Sequence, residues 1–239
     1  MIINLAPALR ALGICALIGA LTTLLNTVAP NFYSASDFDS RMALIHNPIY
    51  ASRQWVLLVH PAFTILLALG FAMAVFARAP GRAASGLIFA GVEKMTEFVL
   101  GTLILFVVNA EWKAGYLAAV GTPAAAVFRE RIEIFNELLG GTFHLLWPMF
   151  MLSTALFCSA LDRSRPLERW LYWSGMATVA ITAIMLIGSL AGLERWSGPI
   201  VTWTYPPLMT AHRTLAGLWL LFLSRQISSA APAGTGMTR

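Results

Sequence analysis

Long apolar runs separated by short polar loops dominate the sequence, and six of them have a length close to that of a membrane-spanning helix. An α-helix needs about 20 apolar residues to cross the hydrocarbon core of a bilayer. The six runs cover residues 5–28, 54–77, 85–110, 142–161, 170–192 and 206–225. The pattern therefore predicts an all-α, polytopic membrane protein built as a bundle of six transmembrane helices.

Prolines mark the ends of several of these runs. Pro80 follows the second run, Pro166 stands between the fourth and the fifth, and Pro206 begins the sixth. Proline has no backbone N–H for the interior of a helix, but it fits the first helical turn. These positions support a single membrane domain over residues 1–226. We expect the small and polar residues 227–239 to form a disordered cytoplasmic tail.

A further helix is predicted outside the membrane, between the third and fourth runs. It begins at Thr122-Pro123, and apolar residues then recur at helical spacing. These apolar residues are Phe128, Ile132, Phe135 and Leu139. Charged residues occupy the other faces, and Gly140-Gly141 is expected to end the helix. The segment is predicted to be an extracytoplasmic amphipathic helix of about four turns that lies on the bundle or in the headgroups.

The composition agrees with a membrane location. Hydrophobic residues make up 58% of the chain and charged residues 11%, whereas about 25% charged residues is usual for soluble domains. The net charge of +5 does not indicate a nucleic-acid partner, because the basic residues are scattered singly. Cys15 and Cys158 lie inside apolar runs, so no disulfide is expected.

The distribution of arginine among the loops predicts the orientation. The short loops around residues 78–82 and 163–169 are rich in arginine and poor in acids, which favours the cytoplasmic side. Both termini are therefore expected in the cytoplasm of a bacterial plasma membrane. Tryptophans fall near both predicted boundaries, as in an aromatic belt. The outer belt contains Trp55, Trp112, Trp196 and Trp203, and the inner belt contains Trp170 and Trp173.

Three ionisable residues, Glu93, Lys94 and Glu97, interrupt the third run. A charge at the bilayer centre costs about 2.5–3.5 kcal/mol, so these side chains should face polar partners inside the bundle. Lys94 stands three residues before Glu97 and can pair with it. Glu93 points about 100° away from Lys94 and is expected to need a different partner. Arg213 in the sixth run is the only other cation at membrane depth and would bring the charge of the group to zero.

Three interpretations of this polar group are open. It can be an ion network that serves only helix packing. It can line a cavity open to the outside that binds a small ligand or passes protons. It can also join histidines in binding a metal or haem, although no histidine- or cysteine-based ligand motif is present. The candidates for ligand binding or proton relay are Glu93, Lys94, Glu97, Arg213, His212 and His60. The candidate metal ligands, all expected in the outer half of the bundle, are His60, His144 and His212.

The favoured function is that of an integral membrane protein that binds or moves a small ligand or a proton. The alternative is a non-catalytic membrane subunit or scaffold whose outer loops bind a partner protein, and a metal- or haem-dependent membrane enzyme comes third. The chain has no nucleotide-binding glycine loop, nucleophile elbow or zinc motif, so no catalytic residue or cofactor is assigned. The lipid bilayer is an expected partner, and nucleic acid is not.

Two stretches resemble a known bacterial family. Lys94-Met95-Thr96-Glu97 places a base and an acid on the third helix, and the loop 162–171 combines arginines, a proline and a tryptophan ahead of Gly175. Both resemble the domain-of-unknown-function 4386 family of six-helix membrane proteins, whose third helix typically carries an arginine, two apolar residues and a glutamate. Lysine replaces that arginine here, so the bidentate geometry of an arginine guanidinium is lost. The resemblance implies a six-helix bundle over residues 1–225 and no known activity.

Overall fold

A computed structural model describes residues 5–193 and 203–230 of the chain. This part of the chain is helical and contains no strand, which confirms the all-α prediction. Its α-helices are α1 (Leu5–Val28), α2 (Phe38–Ala43), α3 (Pro48–Val75), α4 (Pro80–Thr102), α5 (Ala114–Ala118), α6 (Pro123–Ser159), α7 (Pro166–Leu190) and α8 (Tyr205–Ala230). A π-helix, Leu103–Lys113, joins α4 to α5, and short 3-10 turns follow α1 and α2.

Local sequence explains where the helices begin. Proline stands in the first turn of α3, α4, α6 and α7, where its missing N–H leaves no hydrogen bond unmade. The Asn47 side chain accepts hydrogen bonds from the backbone N–H groups of Ile49 and Tyr50 and so caps α3. Asp37 and Ser40 form a reciprocal capping box at the start of α2.

The six long helices pack in a closed ring in the order α1, α3, α4, α6, α7 and α8, and α8 packs back against α1. Helix α3 also contacts α8 across the ring. Aromatic side chains fill the middle of one half, where the ring of Phe71 lies 5.3 Å from the rings of both Phe157 and Trp219. Trp219 is 1% exposed. This packed half contrasts with a polar half, described below.

The two ends of the ring differ. At one end the Ser224 hydroxyl of α8 donates to the carbonyl oxygen of Ala6 in α1 at 2.8 Å, so the start of α1 and the end of α8 lie together. At the other end α2, α5 and the first part of α6 form a small apolar cluster around Met42, Tyr116 and Ile132. We call the end with this cluster the outer end and the opposite one the inner end.

Four helical segments are long and apolar enough to cross a membrane: Leu5–Phe32, Pro48–Val75, Pro123–Ser159 and Pro166–Leu190. These helices are compatible with an integral membrane protein. Helices α4 and α8 do not meet the same hydropathy requirement within the described residues, because they carry the ionisable residues of the polar half. The count of six transmembrane helices therefore stays a prediction.

The predicted end of the amphipathic helix at Gly140-Gly141 is wrong. Helix α6 continues through both glycines to Ser159 and joins the predicted amphipathic segment to the predicted fourth run. Glycine costs about 1 kcal/mol in a helix interior but does not by itself stop the helix. Here packing offsets that cost at both ends of α6, since Ile132 on the outer side is 1% exposed and Phe157 on the inner side is 4% exposed.

The described residues include only part of the predicted tail and of the predicted outer tryptophan belt. Helix α8 extends to Ala230, four residues past the expected boundary at 226. Residues 231–239 of the expected tail and Trp196 of the outer belt lie outside the described residues. The other belt tryptophans at positions 55, 170, 173 and 203 are exposed, whereas Trp112 is half-buried against the outer cluster.

Candidate functional site

A compact triad of ionisable side chains lies on the face of α4 that points into the ring of helices. Its members are Glu93, Lys94 and Glu97. The ammonium group of Lys94 lies 2.5 Å from Oε1 of Glu93 and 3.0 Å from both carboxylate oxygens of Glu97. The Glu93 and Lys94 residues are only 5% and 6% exposed, while the side chain of Glu97 is 28% exposed. The triad therefore faces into the protein, with Glu97 as its accessible member.

The expectation that Glu93 needs a partner other than Lys94 is wrong. Adjacent residues leave a helix about 100° apart, but the four-carbon stem of lysine is long enough to bend its ammonium group back between both carboxylates. Both acids on α4 therefore share one base, and the triad has one negative charge more than it has positive charges when all three groups are ionised.

Arg213 on α8 does not pair with either acid. Its Nη1 donates a 2.5 Å hydrogen bond to the Thr23 hydroxyl and a 2.9 Å hydrogen bond to Nε2 of His60. Across the described residues, no ion pair joins this guanidinium to a carboxylate. The charge-neutral group expected from sequence is thus divided into an acidic triad on α4 and a basic cluster formed by α1, α3 and α8.

Threonines of α1 complete the basic cluster. The Thr22 hydroxyl lies 2.7 Å from Nδ1 of His60, and the hydroxyls of Thr22 and Thr23 both donate to the carbonyl oxygen of Gly19. Sequence reasoning missed these two threonines. Adjacent hydroxyl residues in an otherwise apolar helix were the available signal, because a hydroxyl at that depth needs a hydrogen-bond partner.

A cavity of about 260 Å³ separates the triad from the basic cluster in the outer half of the ring. Its polar lining consists mainly of Asn26, His60, Glu93, Glu97, Tyr205 and Arg213. The side-chain oxygen of Asn26 is buried and has no hydrogen-bond partner among the residues that the structure describes. The cavity therefore presents a cationic donor, accessible carboxylate oxygens and an unsatisfied acceptor to whatever occupies it.

A second, smaller cavity of about 50 Å³ continues toward the inner end. Glu93, Phe150, Met209 and Arg213 line both cavities and form the wall between them. The smaller space is lined on its other sides by Lys94, by hydroxyls of α6 and by His212. A single layer of side chains, two of them ionisable, thus separates an outer polar cavity from an inner one.

His212 belongs to the inner cavity rather than to the basic cluster. Its Nδ1 lies 2.9 Å from the Ser174 hydroxyl of α7. A Cβ atom at Gly175 would lie 2.8 Å from Cε1 of His212 and 2.3 Å from Sγ of Cys158, so this glycine allows α7 to approach α6 and α8. Gly175 was singled out from sequence only through the family resemblance.

The histidines do not converge. His144 is exposed, with Nε2 3.2 Å from the hydroxyl of Ser189, while His60 and His212 line different cavities. Within residues 5–193 and 203–230, no group of three histidine, cysteine, aspartate or glutamate side chains is arranged to hold a metal ion.

A buried ion pair outside the polar half also escaped sequence reasoning. Glu168 at the start of α7 is 2% exposed, and its carboxylate lies 2.6 Å from Nη2 of Arg78 in the turn that follows α3. From sequence, both residues are predicted only to lie in loops on the cytoplasmic side. The pair lies at the inner end and joins the turn after α3 to the first turn of α7, and nothing in the spacing of 90 residues predicts it.

No protein-family model, curated protein or solved structure matches this chain, so the family resemblance of the sequence stays a prediction.

Proposed function

We propose that this protein is a six-helix integral membrane protein that binds or moves a small polar ligand, or protons, through the outer cavity. The observation that carries the proposal is the arrangement of Arg213 and Glu97 on opposite walls of one cavity. Among the described residues Arg213 has no carboxylate partner, and Glu97 is the accessible acid of a triad with excess negative charge. An ion network that serves only packing would bring the two groups into contact.

The chemistry of the walls defines what fits the cavity. The guanidinium favours an anionic or strongly accepting group, since arginine carries only donors. The carboxylate of Glu97 and the orphan oxygen of Asn26 favour a donor. A small molecule with both kinds of group, or a hydrogen-bonded file of water, satisfies both walls.

The proposed topology places this cavity toward the outside of a bacterial plasma membrane. The start of α1 and the end of α8 share the inner end, as two cytoplasmic termini require. The inner end also carries Arg78 and Arg82, whose loop is rich in arginine, as the positive-inside rule favours. Six crossings follow if α4 and α8 span the membrane together with the four more apolar helices.

A cysteine-accessibility experiment tests the open cavity. Thr27→Cys places a thiol on the cavity wall, in a background where Cys15 and Cys158 are replaced by serine. We expect an anionic, membrane-impermeant thiosulfonate to label it from outside intact cells, and Arg213→Gln to slow the anionic reagent more than a cationic one. Val120→Cys on the exposed outer end is the matched control. Labelling of that control without labelling at position 27 would contradict the proposal.

A flux assay tests transport. Purified protein in liposomes containing a pH-sensitive dye is expected to conduct protons under an imposed potential, and Glu93→Gln is expected to abolish that flux because Glu93 lines both cavities. Glu133→Gln on the exposed outer part of α6 is the control. Flux without any effect of Glu93→Gln would exclude a route through this wall.

A second candidate, a scaffold for a partner protein, has its own support. Val127, Ile134 and Leu138 lie along one side of the outer part of α6 and are 49%, 50% and 66% exposed. Such an apolar row is typical of a surface that contacts protein or lipid. A photo-crosslinking residue at Leu138 in living cells distinguishes the two. Adducts of one discrete protein mass support the scaffold, and lipid adducts alone reject it.

A further inference from the structure

A third cavity, of about 280 Å³, lies between α3 and the π-helix near the outer end. It shares no lining residue with the outer cavity beside the triad. Trp55 and Ala110 at this cavity are exposed, and the ring of Trp55 packs edge-on against the exposed ring of Phe106. The cavity therefore opens on the lateral surface of the ring of helices, which is the surface of a membrane protein that contacts lipid.

A series of hydrogen bonds with fixed donor and acceptor roles ends at a residue of the cavity wall. The ammonium group of Lys113 donates to the Tyr50 hydroxyl at 2.7 Å, and this hydroxyl donates to Oδ1 of Asn109 at 3.0 Å. Because an ammonium group only donates, the tyrosine proton must point to the asparagine, and the asparagine must offer its oxygen. The Asn109 amide group Nδ2 is left as a pure donor.

Nδ2 of Asn109 is buried, has no hydrogen-bond partner within residues 5–193 and 203–230, and belongs to a residue that lines the cavity and is 8% exposed. The Gln54 side chain lines the same cavity and is 4% exposed. A buried donor without an acceptor destabilises the folded protein. An acceptor in the cavity removes that cost.

Charge and shape restrict the acceptor. Lys113 is 9% exposed, and among the described residues no carboxylate forms an ion pair with it. Most of the cavity wall is apolar and comes from Ile45, Ala51, Trp55, Leu105, Ala110 and Ala114. Pockets for drug-sized ligands measure about 300–1,000 Å³, so this one holds a single chain segment with its polar end.

We propose that this cavity binds the acyl end of an anionic lipid. A carboxyl or ester oxygen accepts the hydrogen bond from Nδ2 of Asn109, the hydrocarbon chain lies against Trp55 and Leu105, and the positive charge of Lys113 attracts the anion. Two membrane components share this chemistry: a free fatty acid carboxylate and the ester group of an anionic phospholipid.

Quenching of tryptophan fluorescence by brominated chains tests the proposal. Purified protein in detergent micelles is titrated with a brominated fatty acid, with brominated phosphatidylglycerol and with a brominated hydrocarbon that has no oxygen. We expect saturable quenching by the fatty acid, the phospholipid or both, and only proportional quenching by the hydrocarbon. Trp55→Phe should remove the saturable part. The compound that saturates identifies the source of the acyl group.

Two variants separate binding from folding. Asn109→Leu removes the donor and should weaken saturable quenching about tenfold, because the hydrogen bond from Nδ2 to the lipid oxygen is lost. Ala114→Leu fills the cavity but leaves the Lys113–Tyr50–Asn109 hydrogen bonds intact, and it should weaken quenching as much. Asn136→Leu at an exposed position of α6 is the matched control. Proportional quenching by all three compounds, or unchanged saturation in both cavity variants, would overturn the proposal.

Discussion

The guanidinium of Arg213 donates a hydrogen bond from Nη1 to Nε2 of His60 across 2.9 Å. Arginine has no acceptor atom, so Nε2 must carry a lone pair and the histidine proton must sit on Nδ1. Nδ1 then donates to the Thr22 hydroxyl, which donates in turn to Gly19. Every group in this series of hydrogen bonds has a partner only when His60 is neutral. The structure therefore assigns both the charge state and the tautomer of His60.

Nuclear magnetic resonance of nitrogen-15-labelled histidine tests that assignment. We expect His60 at neutral pH to show a protonated Nδ1 and an unprotonated Nε2, the less common tautomer of a free imidazole. Arg213→Gln should change the His60 signals and leave those of His46, in the outer loop, unchanged. A doubly protonated His60 ring would contradict the hydrogen-bond order.

Lys94 is expected to be the most costly residue of the triad to replace. Lys94→Met would leave two carboxylates side by side without a base, and breaking a buried ion pair costs about 3–5 kcal/mol. Glu97→Gln and Glu93→Gln each leave Lys94 with one carboxylate and should cost less. Detergent denaturation of the purified variants measures the difference. Arg129→Met breaks an exposed pair with Glu133 and serves as a control with little expected effect.

Gly175→Ala should destabilise the protein by about 1–3 kcal/mol, because overpacking forces neighbouring side chains out of place. The added methyl group would lie 2.3 Å from Sγ of Cys158. Cys158→Ala in the same chain should restore part of the loss, since it removes that sulfur. Gly91→Ala is the matched control, because among the described residues no side chain beyond its chain neighbours and no backbone atom of another helix lies within 4 Å of its added methyl group. Equal melting temperatures for the two alanine variants would contradict the packing at Gly175.

The ammonium group of Lys113 should titrate well below an ordinary lysine. Burial, followed by the positive charge of Arg41, lowers the pKa of Lys113 to about 8 from 10.5. The unfolded chain therefore binds more protons between these two pH values, and stability should rise as the pH increases from about 8 to 10.5.

Lys113→Met should remove this part of the pH dependence. The pKa of Lys113 can be measured directly by reductive methylation with carbon-13, since the chain contains only two lysines. Lys113→Arg assigns the signal by its loss. A midpoint near that of a free lysine would show that the ammonium group is not desolvated as the structure indicates.

The sequence alone determined that the chain is helical and rich in apolar segments, because hydropathy runs and prolines are local properties that survive without knowledge of packing. It also located Glu93, Lys94, Glu97 and Arg213, because an ionisable residue in an apolar run is costly wherever the run packs. The end of α1 at Val28 matches the end of the apolar run of 5–28 for the same reason.

Only the tertiary structure decided which charges meet. Lys94 reaches both glutamates because a flexible stem overrides the angle between adjacent helical residues, and Arg213 turns to His60 and Thr23 because α1, α3 and α8 come together across the chain. The same holds for Asn109, whose orphan amide follows from its contact with Tyr50, 59 residues away. Contacts between residues that are distant in sequence depend on helix packing, and the hydropathy pattern does not predict them.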